Sequence, residues 1–121
     1  MKKRLGSFRF ALKGLRSLLK YEHNSRIHLL AAIIAITLGI ILKINSSEWS
    51  LLIIVIGLVF IAELFNSSLE SLADHIDNEW NEKIMKAKDY GAAAVLISAI
   101  IAMVLGCIIF IPKFLMLVKG Q

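Results

Sequence analysis

The 121 residues leave room for one domain, yet 58% of them are hydrophobic and the mean hydropathy is +0.75. A soluble domain this small has too much surface for its volume to hide that much apolar material from water, so a bilayer is expected to serve as its solvent. The net charge of +5 would suit nucleic acid in a soluble chain, but eight of the fourteen Lys and Arg residues crowd between Lys2 and Arg26. That is the pattern of a flank beside anionic lipid, not of a nucleic-acid-reading face.

Residues 5–20 read as an amphipathic helix. Leu5, Phe8, Ala11, Leu12, Leu15, Leu18 and Leu19 recur at helical spacing on one face, and Arg9, Lys13, Arg16 and Lys20 on the other. A helix of this kind lies in the interface plane, its apolar face in the acyl boundary and its cations among phosphates. No short apolar core with a small-residue cleavage site follows the basic N-terminus closely, so a removable signal peptide is not expected.

The first span runs over 27–44, near the lower limit of about 17 residues for crossing about 30 Å, with Lys43 able to snorkel to the far interface. Asn45-Ser46-Ser47-Glu48 is a turn in which Ser47 can cap the next helix. The second span covers 49–73, opening on Trp49 and turning polar on one side after Ala62. Residues 74–89 read as a charged cytoplasmic loop, and the third span covers 90–111, closed by Pro112 and Lys113. Lys83, Lys86 and Lys88 in the second connection, against Lys43 alone in the first, place the N-terminus and this loop inside. Gly91-Ala92-Ala93-Ala94 offers a small-residue surface for close helix approach. The single cysteine, Cys107, lies in an apolar run and reads as a packed or lipid-facing small hydrophobe. The whole chain, 1–121, is expected to be one all-α membrane domain.

Chemistry is concentrated in the second helix. Glu63, Asn66, Glu70 and Asp74 stand at i, i+3, i+7 and i+11 and form one stripe, with Ser67 beside them. At about 1.5 Å per residue from Trp49, Glu63 lies roughly 21 Å along the helix, within the inner leaflet, while Asp74 reaches the headgroup zone. An ionised carboxylate at membrane depth costs at least about 2.5 kcal/mol, and three carboxylates on one face repel one another without a cation. Glu22, just ahead of the first span, adds a fourth at the same level. Carboxylates converging from two helices make a hard-oxygen site suited to Mg²⁺ with a polyphosphate. No GxxxxGK[ST] loop or GxGxxG is present, so any nucleotide is held by charged side chains and metal. A structural polar stripe and a proton-coupled transporter using Glu63 are the competing readings; the first stabilises poorly without a cation, and the second has no need of Glu22, Glu70 or Lys88-Asp89.

The segment Glu63-Leu64-Phe65-Asn66-Ser67-Ser68-Leu69-Glu70-Ser71-Leu72-Ala73-Asp74 resembles the signature of the prokaryotic diacylglycerol kinase family. Residues 87–96 (AKDYGAAAVL) look like its second conserved block, and Glu22 with Arg26 like its N-terminal block. The resemblance covers nearly the whole chain in order and spacing. It implies a homotrimer of three-span subunits in the bacterial cytoplasmic membrane, with composite sites between protomers, which transfers phosphate from ATP to diacylglycerol. Undecaprenol is the alternative lipid. By the same resemblance Glu63 is the catalytic base, and Glu22 and Glu70 hold Mg²⁺ on the ATP phosphates. Glu79, Asn81, Lys88 and Asp89 contact the nucleotide with them, Asn66 and Asp74 support the site, and Arg16, Arg26 and Glu63 border the lipid substrate. The roles agree with phosphoryl transfer, which asks the protein chiefly for positioning and charge neutralisation. His28 stands where some members carry an acid, and the Asn24–His28 form resembles the Gram-positive branch that includes undecaprenol kinases; His28 itself reads as structural. Phe10 stands where some members have a nucleotide-contacting Tyr, and Lys3 where an Arg is found, keeping the charge without the planar fork.

Overall fold

The computed structural model describes residues 2–76 and 81–120. They form four helices: α1 (Lys2–Tyr21), α2 (His23–Ile41), α3 (Ser46–Ile76) and α4 (Glu82–Val118). The last three are long and apolar enough to cross a membrane, as the apolar runs predict.

Helix α1 ends where Glu22 turns extended (φ −96°, ψ 113°), and α2 starts at the next residue. Leu18 is buried and Leu19 half-buried where α1 meets the other helices, whereas Leu5, Phe8, Leu12 and Leu15 stay exposed. The turn from α2 to α3 is tied twice. The Ile44 N–H donates to the Gly39 carbonyl and the Lys43 N–H to the Ile40 carbonyl, with Lys43 in the left-handed region at φ 50°. This is a Schellman closure with lysine in the place glycine usually takes. Asn45, not Ser47, then caps α3. Its Oδ1 accepts from the Glu48 N–H at 3.0 Å while Glu48 Oε2 accepts from the Asn45 N–H at 2.8 Å. This reciprocal box satisfies two orphan donors at once, which Ser47 cannot do from inside the helix.

The segment 74–89, read from sequence as a loop, is helical at both ends: α3 continues to Ile76 and α4 begins at Glu82. Asn81 starts α4 by accepting from the Lys83 and Ile84 N–H groups at 3.0 and 3.4 Å. Lys, Glu, Ala and Met after it are strong helix formers, so Glu82, Lys83, Lys86, Lys88 and Asp89 sit on a helix instead. At about 1.5 Å per residue, the 31 residues of α3 reach about 46 Å and the 37 of α4 about 55 Å. Both overrun a hydrocarbon layer of about 30 Å. Nor do Pro112 and Lys113 end α4, which passes through Pro112 to Val118. A proline forfeits one hydrogen bond, and such a loss is tolerated in apolar helices packed on neighbours. Lys113 reaches back to Glu48 Oε2 at 3.1 Å and joins the far end of α4 to the start of α3.

Helices α3 and α4 are the most closely packed pair, with α2 leaning on both. Ile44, Leu52 and Ile109 form a buried cluster near the α2–α3 turn, flanked by Trp49, Leu105 and Phe110. Gly39 is buried there, and the position suits glycine because a Cβ would come within 2.9 Å of the Trp49 ring.

Candidate active site

The polar stripe of α3 lies on its packing face. Leu52, Val55, Val59 and Glu63 are the buried residues of this helix, spaced so that Glu63 continues the row that grips α2 and α4. Burial then falls off along the stripe: Glu63 is 3% exposed, Asn66 and Glu70 are half-buried, and Asp74 is exposed. Along the helix the stripe thus passes from a carboxylate enclosed by neighbouring helices to one open to its surroundings.

Helix α2 presents a matching row. Ser25, Ala32 and Gly39 are buried, with His28 and Ala35 half-buried between them, a 3–4 alternation of small and polar residues that lets α2 approach. Through it His28 Nε2 comes 3.1 Å from Glu63 Oε1. The contact is within ion-pair reach but lacks hydrogen-bond alignment, and Glu63 Oε1 remains without a hydrogen-bond partner. The Ser25 hydroxyl, fully buried, and Asn66 Oδ1 are likewise unpartnered. A buried polar group without a partner costs about 1–3 kcal/mol, and three in one region mark a place where the chain alone does not complete its hydrogen bonding.

On the α4 side, Lys88 Nζ donates to Asp74 Oδ1 at 2.8 Å. Lys88 precedes the apolar run that begins at Tyr90. The hydrogen bond and charge of Asp74, with Glu70 nearby, raise its ammonium above the ordinary lysine range, so it remains a cation. One turn further in, Gly91 is buried against Asn66, where a Cβ would meet Oδ1 at 2.5 Å. The small residue at the start of this run therefore serves contact within the chain, while Ala92, Ala93 and Ala94 stay exposed.

Glu22 is half-buried at the head of α2 and makes no side-chain bond to the cap it occupies. Glutamate is a poor cap, and this carboxylate is not used as one. Among the described residues no three His, Cys, Asp or Glu side chains gather closely enough to hold a metal. Mg²⁺ needs no such cage: it keeps waters and is commonly held by one or two carboxylates with substrate phosphates. Glu22 and Glu70 are hard-oxygen donors of that kind, so the residue chemistry fits the ion.

Of the other predicted site residues, Arg16, Arg26 and Asp89 are exposed, as is Phe10. Asn81 has its side-chain oxygen engaged in capping α4, which leaves its amide NH₂ for any ligand. Glu79 lies outside the described residues. The contact that spacing alone missed is His28 on Glu63. Its signal was the row Ser25, His28, Ala32, Ala35, Gly39 in the first span, a narrow small-residue face of the type that admits a neighbouring helix.

Between α2, α3 and α4 lies an apolar slot of about 300 Å³, lined by residues that include Ala31, Ala35, Val55, Val59 and Phe110. His28 is the one polar side chain among the described residues lining it. A second opening of about 320 Å³, with Asn24, Ile27 and Ala92 on its wall, also borders His28.

Comparison with known proteins gives one answer. A family model described as prokaryotic diacylglycerol kinase matches residues 9–110. The chain is 32% identical over 107 residues to an undecaprenol kinase of Bacillus subtilis, covering 88% of this chain and 87% of the relative. It is 35% identical over 105 residues to a diacylglycerol kinase of Escherichia coli, covering 87% and 86%. A diacylglycerol kinase of Haemophilus influenzae is 36% identical over 107 residues, covering 88% and 91%.

Proposed function

This chain belongs to the prokaryotic diacylglycerol kinase family, and on that premise we propose that it phosphorylates diacylglycerol with ATP to give phosphatidic acid at the cytoplasmic face of the bacterial inner membrane. The observation that carries the reading is Glu63, a carboxylate buried among helices in a polar stripe that rises through Glu70 to Asp74.

In this reading Glu63 accepts the proton of the lipid hydroxyl, whose oxygen forms a bond to the γ-phosphorus as the bond to the β-phosphate oxygen breaks and ADP leaves. A base must come within about 2.6–3.2 Å of the proton it takes, and a side chain fixed on the packing face of α3 suits that demand. Glu22 and Glu70 would hold Mg²⁺, which when bound would supply charge neutralisation at the phosphates. Lys88, kept charged beside Asp74, faces the nucleotide together with Asp89, Glu79 and the Asn81 amide. Arg16 and Arg26 border the lipid substrate, and the apolar slot behind His28 takes hydrocarbon. Helix α1 lies in the interface, its exposed Leu5, Phe8 and Leu12 in the acyl boundary. The N-terminus is cytoplasmic, and the working form is a homotrimer in which partner subunits cover the apolar faces one chain leaves open.

Undecaprenol is a second reading, favoured by the Bacillus subtilis relative. Purified protein in mixed micelles with Mg-ATP and each lipid in turn decides between them. Faster transfer to diacylglycerol is expected, faster transfer to undecaprenol reverses the assignment, and transfer to neither by folded protein ends the kinase reading.

A further inference from the structure

The chemistry proposed for Glu63 leaves one neighbour without a role. His28 reaches across from α2 and brings Nε2 to 3.1 Å from Glu63 Oε1. The oxygen it approaches has no hydrogen-bond partner, on a side chain that is 3% exposed. The same imidazole lies at the boundary of the apolar slot and of the second opening between α2 and α4. A residue needed only to fill space between three apolar helices would be apolar, because an imidazole at membrane depth requires a polar partner.

We propose that His28 is the positioning residue for Glu63: its ring N–H holds one carboxylate oxygen and so leaves the other directed at the lipid hydroxyl. This rests on Glu63 being the base. A glutamate side chain has up to about 2 kcal/mol of rotamer freedom to lose. Anchoring one oxygen removes that freedom before substrate arrives, while the second oxygen stays available to take the proton. Catalytic hydrogen bonds reach full alignment only in the complex with substrate, so the 3.1 Å approach is close enough to serve. The row Ser25, His28, Ala32 and Ala35 makes this possible, bringing α2 close enough for a short side chain to reach α3. Among the described residues the ion-pair contact of His28 is to Glu63 and not to a group assigned to metal or nucleotide, so its effect should fall on turnover and not on Mg-ATP.

The test compares the full-length wild type with H28L, H28Q, E63Q and H28L/E63Q in detergent micelles, by steady-state kinetics and by thermal unfolding. H28L is expected to lower kcat by about 10²-fold, the cost of misplacing a reacting group by about 1 Å, with KM for Mg-ATP unchanged. H28Q, which keeps an N–H donor, is expected to restore most of that loss. Thermal unfolding supplies a readout that does not depend on turnover: H28L should lower the midpoint in the wild-type background and leave it unchanged in E63Q, where no charge is stranded. Retention of full kcat by H28L overturns the proposal, as does H28Q failing alongside H28L or a midpoint that falls equally in both backgrounds. If wild type itself transfers phosphate to neither lipid, the kinase reading and the role of His28 fall together. An active wild type, an inactive E63Q and a fully active H28L remove the role of His28 alone.

Discussion

The two ends of the helical bundle are built on opposite principles. At the α2–α3 turn every local demand is met: the Schellman closure satisfies the end of α2, Asn45 and Glu48 cap α3 reciprocally, and Lys113 pairs with Glu48 at 3.1 Å. A buried apolar cluster of Ile44, Leu52 and Ile109 lies beside them. At the other end Ser25, Glu63 and Asn66 bury polar atoms without partners, and among the described residues all such atoms are at this end. The hairpin end holds the helices in register, and under the proposed function the site end carries groups whose partners would be substrate, metal and nucleotide. Such a division lets one end of a 121-residue chain accept costs that the other offsets.

The sharpest way to break this comparison is at Glu63. Changing Glu63→Gln should lower turnover by at least about 10²-fold, the range a general base supplies. The same change should leave the unfolding midpoint level or raise it, because it removes a buried charge. A variant that loses stability in proportion to activity would place Glu63 with the structural residues. Next in size, Glu70→Gln should raise the Mg-ATP concentration needed for half-maximal rate severalfold while kcat at saturation changes little. A titration of rate against Mg-ATP reads both numbers.

A matched pair of glycine changes sharpens the contrast. At Gly39 a Cβ would lie 2.9 Å from the Trp49 ring and 3.0 Å from Ile44, so Gly39→Ala overpacks the anchored end and should cost about 1–3 kcal/mol, read as a lower unfolding midpoint with the kinetic constants intact. At Gly91 a Cβ would meet Asn66 Oδ1 at 2.5 Å. That oxygen has no partner to lose and belongs to a side chain that can swing aside, so Gly91→Ala should spare most of the stability and reduce kcat. If both variants respond alike, the division between the ends is not real.

What could be read before the fold was known follows the same division. Three apolar runs and the stripe Glu63, Asn66, Glu70, Asp74 are patterns along single helices, and periodicity reports them directly. Which face of each helix points inward is another matter, because a helix surrounded by lipid is apolar all round and hydrophobicity no longer separates inside from outside. For that reason the small-residue face of α2 escaped notice, and with it the meeting of His28 and Glu63 from different helices. Ser47 suits a cap by residue type alone, whereas Asn45 and Glu48, three apart, spell the reciprocal box that forms. The charged segment after Asp74 resembled a loop because helices that emerge into water carry charge on every exposed side.

The smallest effect is expected at Lys43, and it tests the anchored end by improving it. The Schellman closure puts this residue at φ 50°, where a side chain costs about 1–2 kcal/mol that glycine does not incur. Glycine also enlarges the freedom of the unfolded chain, which takes back about 0.4–1 kcal/mol. Lys43→Gly should therefore raise the stability of the folded chain by about 0.5 kcal/mol and shift the unfolding midpoint slightly upward, with kcat and both KM values unchanged because the site is at the opposite end. A fall in stability would show that the Lys43 ammonium holds this turn at the membrane surface more firmly than its backbone strains it, and the anchor would then be electrostatic as well as hydrogen-bonded.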